Sequence, residues 1–113
     1  MTQKYHNKKV VIDGYAFDSI RESQRYGELK LMEKAGEIRN IEVHPKFILQ
    51  DKFIKNGKKY RSIRYIADFK YIKNGEIIVE DVKSVATKTD VYEMKRKMFE
   101  NKYKELTISE VIC

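Results

Sequence analysis

Asn74-Gly75 lies between two strand-like runs, "YIADFKYIK" and "EIIVEDVKS". Asn-Gly in that setting is a strong signal for a two-residue hairpin, because a type I′ turn needs positive φ at both central residues. Such a turn also fixes register. Lys73 then faces Glu76, and pairing steps outward until Phe69 faces Glu80, Asp68 faces Asp81 and Ile66 faces Lys83. Strand side chains alternate, so Asp68, Asp81 and Lys83 share one face and Glu80 points to the other, as a structural or surface acid. Two carboxylates directly across a strand pair repel each other. A divalent cation turns that repulsion into attraction, and hard ions such as Mg²⁺ favour carboxylate oxygens. Lys83 has two readings: it neutralises an exposed acidic pair, or it orients a water and stabilises developing negative charge.

The remaining elements follow from periodicity and punctuation. "VVIDGYAF" is a hairpin around Asp13-Gly14. Ser19 as N-cap and Gly36 as C′ stop bracket a helix over about 19–35, with Tyr26, Leu29 and Met32 as its apolar stripe. Within it, Ser19 and Glu22 form a capping-box pattern. Glu22 also lies one turn from Tyr26, at the end of the stripe, where a carboxylate could face the sheet. "IRNIEVHPKFILQ" alternates as a strand, and Pro45 predicts an edge or a bulge. Asn56-Gly57 and Asn74-Gly75 predict a meander of three strands. Residues 84–90 read as a loop. The segment after it has Asp90 as a cap candidate and Val91, Met94 and Met98 at helical spacing. "ELTISEVI" reads as a closing strand. The expectation is one α+β domain over residues 10–113, preceded by a flexible basic arm over 1–9.

Composition limits the chemistry. The 113 residues fit one domain, and 42% apolar residues argue against global disorder. Lys and Arg exceed Asp and Glu by seven, which suits a polyanion such as nucleic acid. The single cysteine, Cys113, permits neither an internal disulfide nor a cysteine-based metal site. That usage, and a polar start without the apolar run of a signal peptide, suit the cytoplasm. No stretch approaches the ~20 apolar residues of a membrane span. His6 and His44 have no nucleophile paired with them by spacing, which disfavours serine-type catalysis. His44, beside Pro45, reads as a strand-surface residue.

"YIADFKY" followed by "IIVEDVKS" across a short hairpin resembles the PD-(D/E)XK nuclease superfamily, with Ile66-Ala67 in place of its proline. "FDSIRE" is similar to the first-helix segment of phage Holliday-junction resolvases and transposon-end nucleases. Nearly the whole chain is similar to a small phage-borne nuclease family. The resemblance implies a restriction-endonuclease-like mixed sheet core (αβββαβ), here with an added N-terminal hairpin. It implies Mg²⁺-dependent hydrolysis of DNA phosphodiesters, with Mn²⁺ as a substitute. By position it makes Asp68, Asp81 and Glu22 the metal ligands, and these three with Lys83 the catalytic set. In phage DNA processing the substrate would be branched DNA or a Holliday junction, and the setting the host cytoplasm.

Two basic tracts could hold the DNA backbone. Residues 46–64 contain seven Lys or Arg and one Asp, among them Lys58, Lys59, Arg61 and Arg64. Residues 88–104 contain six Lys or Arg against three acids, among them Lys95 and Arg96. Lys95 is the best candidate for a phosphate contact. Tyr60 and Tyr65 interleave with the first tract but read as core tyrosines. A homodimer with two sites would suit a branched junction. The rival reading is a non-catalytic nucleic-acid-binding phage accessory protein that retains the nuclease fold.

Overall fold

In the computed structural model, which describes residues 9–84 and 88–112, three two-residue turns set the β framework. Asp13-Gly14 joins β1 (Val10–Ile12) to β2 (Tyr15–Phe17). Then comes helix α1 (Ile20–Lys34), followed by β3 (Arg39–Val43) and β4 (Lys46–Gln50). Asn56-Gly57 joins β5 (Phe53–Lys55) to β6 (Lys58–Tyr60), and β7 (Ile63–Ile66) follows. Asn74-Gly75 joins β8 (Phe69–Lys73) to β9 (Glu76–Lys83). Its two residues have φ of 51° and 79°, a conformation that Asn and Gly tolerate best. The β8–β9 ladder runs from Lys73 opposite Glu76 to Phe69 opposite Glu80, as that turn dictates.

The fold is α+β. A four-stranded sheet has the order β10-β9-β8-β3, with β10 (Ile108–Ile112) parallel to β9 and the other pairs antiparallel. Helix α2 (Asp90–Lys102) supplies the crossover that a parallel neighbour needs. α1 packs Tyr26 and Leu29 with Phe69 and Tyr71, while α2 packs Tyr92 and Phe99 with Val79 and Ile108. Alternation along β9 assigns these two cores to opposite sheet faces. The α1 start is fixed by Ser19, whose Oγ accepts from the Glu22 amide at 3.1 Å. Its end is fixed by Gly36 at φ 80°.

Three expectations are corrected. The three-strand meander is broken: among the described residues β5 and β6 pair only with each other, and β7 pairs with β4 rather than continuing into β8. The breaks fall at Arg61-Ser62 and at Ala67-Asp68. At the second, the Asp68 amide is shared between the Glu80 carbonyl and the Asp81 carboxylate. The cap of α2 is Thr89, not Asp90, with Thr89 Oγ1 accepting from Tyr92 N at 3.1 Å. Its buried stripe is Tyr92 and Phe99, whereas Val91 and Met94 are 56% and 53% exposed. The two large aromatic rings bury more area than Val and Met and so set the helix rotation. Pro45 does mark a break: His44 has φ 54°, and β4 beyond it has the single partner β7.

Residues 1–8 of the expected basic arm, with His6, lie outside the described residues, as do 85–87 of the expected loop and Cys113. Lys9, the last of the arm, pairs with Asp18 at 3.5 Å. Among the described residues no helix is long and apolar enough to cross a membrane.

Candidate metal and phosphate site

The bend between β7 and β8 carries Asp68 to the end of the hairpin ladder, beside Asp81 of β9. The contact is direct: the Asp68 amide donates to Asp81 Oδ1 at 2.9 Å, and the Val82 amide donates to Asp68 Oδ2 at 2.7 Å. Tyr65 of β7 donates its hydroxyl to Asp81 Oδ2. Lys83 is two residues on, and its Nζ lies 4.2 Å from the centroid of the Tyr92 ring. Asp68, Asp81 and Lys83 line one cleft of about 770 Å³, with Arg61, Arg64, Tyr65 and Lys95 on its walls. Ile66, Val91 and Met94 add apolar wall. Val91 and Met94, two of the three α2 residues at helical spacing, thus face this cleft.

Glu80 leaves this cleft altogether. It is 1% exposed, on the α1 face. Arg25 Nε and Nη2 bond its two oxygens at 2.8 and 2.9 Å, and Tyr71 Oη bonds it at 2.7 Å. Adjacent acids on one strand therefore lie on opposite faces with different partners, as the turn register predicts.

Glu22 reaches Asp68 from the α1 side. It is buried, and its Oε1 bonds His44 Nε2 at 2.9 Å. Glu22, His44 and Asp68 each offer one ligand atom, all within 4.8 Å of one another. Asp81 stands outside that group, so the trio brought together differs from the expected Glu22, Asp68 and Asp81. His44 is the residue that sequence reasoning missed. It is not a plain strand-surface side chain: it occupies the β3–β4 corner, and its amide donates to the Asp68 carbonyl at 3.0 Å. The one local signal was His-Pro interrupting an alternating run, since His tolerates positive φ better than most residues.

The expected backbone-binding residues divide. Arg61, Arg64 and Lys95 line the cleft. Arg96 does not: it faces β10, bonding Glu110 at 3.0 Å and Glu100 at 3.3 Å. Glu110 also takes Lys88 at 2.8 Å and the Tyr92 hydroxyl at 2.7 Å, so these charges tie α2 to β10. Lys58 and Lys59 are exposed on the β5–β6 hairpin, outside the cleft lining.

Burial, and then Asp68, push the Asp81 carboxyl up to about 6. Burial, and then Glu22, push Asp68 up to about 6, against the Val82 amide, Lys83 and His44. A native carboxyl with a raised pKa holds its proton where the unfolded chain has released it. Between about pH 4 and pH 6 this contribution to stability falls as pH rises. For Asp81, 2% exposed, the loss is up to about 3 kcal/mol. Urea melts in EDTA at pH 4.5, 5.5 and 6.5 measure it against Asp81→Asn. The variant is expected to gain on the parent chain as pH rises. A stability difference independent of pH would rule out a raised Asp81.

A family model described as "Protein of unknown function (DUF1064)" matches residues 2–113, and the chain belongs to that family. No curated protein and no solved structure matches it.

Proposed function

We propose that this family member is a metal-dependent endodeoxyribonuclease with the restriction-endonuclease-like core of the PD-(D/E)XK superfamily. One observation carries the reading. Asp68 and Asp81 lie side by side at the end of the β8–β9 ladder, with Lys83 in the same cleft and Arg61, Arg64 and Lys95 on its walls. The succession α1, β3, β8, β9, α2, β10 supports an αβββαβ order.

The donor set suits a divalent ion. Glu22, Asp68 and His44 would hold it, with Asp81 alongside Asp68 as a further candidate ligand. The imidazole favours Mn²⁺ relative to an all-oxygen site. Such an ion, when bound, would supply a water of lowered pKa and positive charge against the phosphate oxygens. Lys83 orients the attacking water and stabilises negative charge on the phosphate. The Tyr92 ring keeps its ammonium at the cleft wall. Arg61, Arg64 and Lys95 meet the flanking backbone. Phage DNA processing in the host cytoplasm, on branched DNA, is the proposed setting. A symmetric homodimer with two clefts would suit a four-way junction.

One observation favours the second reading, a binding protein without catalysis. Both Asp81 oxygens are already engaged, by Tyr65 and by the Asp68 amide. Incubation with linear, flapped and four-way DNA in Mg²⁺, Mn²⁺ or EDTA separates the two. Cutting is expected with either metal and not in EDTA. DNA binding without cutting in both metals would leave the second reading standing.

A further inference from the structure

The β5–β6 hairpin contains no buried residue. Phe53 and Tyr60 pair across it with ring centroids 4.6 Å apart and planes 8° from parallel, yet both rings stay open, 42% and 39% exposed. On the same face of the ribbon Lys55 stands directly opposite Lys58. Like charges in that position destabilise a strand pair, and residues 52–61 contain no acid to relieve them. Lys58 Nζ also lies 5.1 Å from the centroid of the Tyr60 ring. A two-stranded ribbon is marginal by itself in water. This one carries unrelieved cations at its tip and open rings at its base, an arrangement that fits an anionic ligand with flat faces.

From this juxtaposition we propose that the hairpin is a binding arm for unpaired DNA, with Phe53 and Tyr60 stacking bases and Lys55 and Lys58 holding phosphates. The proposal rests on the nuclease reading for its link to the cleft. Arg61 and Arg64 line the cleft directly after β6. Four residues of extended chain from Tyr60 to Arg64 span at most about 13 Å, roughly four stacked nucleotides. A strand leaving a branch point could therefore lie on the hairpin while its paired neighbour enters the cleft. Every base has a π-face, so the arm selects unpaired bases over paired ones without reading sequence.

The test is binding of the full chain in EDTA, where no cutting competes, followed by fluorescence anisotropy on labelled single-stranded, flapped and fully paired DNA. Circular dichroism checks that each variant is folded. Phe53→Ala/Tyr60→Ala is expected to weaken single-strand and flap binding at least about 10-fold and duplex binding less than about 2-fold. Lys55→Ala/Lys58→Ala is expected to weaken all three and to lower the salt slope by between about 1 and 2. Unchanged single-strand binding by the aromatic variant, or an equal loss on duplex, would overturn the proposal. So would a sedimentation result in which that variant dissolves a dimer and leaves DNA binding intact, because the rings would then belong to an interface between copies. Cleavage in Mg²⁺ is scored separately. An arm that binds on a chain that never cuts defeats the nuclease reading alone, and a chain that cuts with an inert hairpin defeats the arm alone.

Discussion

Asp81→Asn is expected to lower DNA cleavage about 10³-fold or more while leaving the protein folded, and in EDTA more heat-stable than the parent chain. The first effect follows from the proposed role. A metal ion at a reacting phosphate contributes several kcal/mol of transition-state stabilisation, and a lost carboxylate ligand removes most of it. The second follows from the environment. The carboxylate is 2% exposed and faces Asp68, so its ionised form is held at a cost. The amide is nearly isosteric. Its oxygen can still accept from the Asp68 amide, and its NH₂ can donate to Tyr65. At pH 7.5 the midpoint of unfolding is expected to rise by several degrees, since ~1 kcal/mol is about 4 °C for a domain of this size. Glu80→Gln is the contrasting variant: its amide oxygen can still accept from Arg25 and keep α1 on β9, so it is expected to retain most of the cleavage at temperatures where it stays folded. Cutting that survives Asp81→Asn and disappears with Glu80→Gln would mean that the wrong acid of the pair has been assigned.

The placement of Asp81 was legible because a local feature determines it. Asn74-Gly75 fixes a two-residue loop, the loop fixes the register, and register decides which of two adjacent acids faces which core. The same reasoning found the β1–β2 hairpin and the Ser19 cap. It failed where the deciding contact is remote in sequence. His44 enters the site because the β3–β4 corner and the β7–β8 bend meet, through bonds from the His44 amide to the Asp68 carbonyl and from the Ala67 amide to the Pro45 carbonyl. No period of 2 or 3.6 encodes that meeting. The rotation of α2 was misread for a related reason. Of Val91, Met94 and Met98 only Met98 packs against the core; Tyr92 and Phe99 fill the space beside Phe47 and Tyr65, and tertiary packing overrode the simpler pattern. The broken meander belongs to the same class, because the partner of β7 is β4 and not its sequence neighbour.

The other large effect concerns Arg25. Arg25→Met is expected to destabilise the fold by about 3–5 kcal/mol, because it leaves the Glu80 carboxylate buried with the Tyr71 hydroxyl as its remaining partner. The Arg25 side chain is itself largely buried, 18% exposed, and its guanidinium grips both Glu80 oxygens. Water therefore has little access to replace it. For a domain whose whole stability is about 5–15 kcal/mol, that loss is visible as a large shift of the urea midpoint. Arg25→Met/Glu80→Leu is expected to recover most of it, since an apolar pair of similar volume carries no unpaired charge. A single variant within about 1 kcal/mol of the parent would show that Glu80 is not held as a buried carboxylate. The pair also bears on the site. Arg25 lies three residues after Glu22, on the same side of α1, and it is the ionic tie between α1 and β9. If that tie helps hold α1 against β9, its loss lets Glu22 move relative to Asp68. The double variant, refolded and stable but without the tie, is therefore expected to cleave more slowly than the parent, with the deficit partly restored by raising the Mn²⁺ concentration. A purely structural role for the pair would instead return cleavage to the parent rate once stability returns.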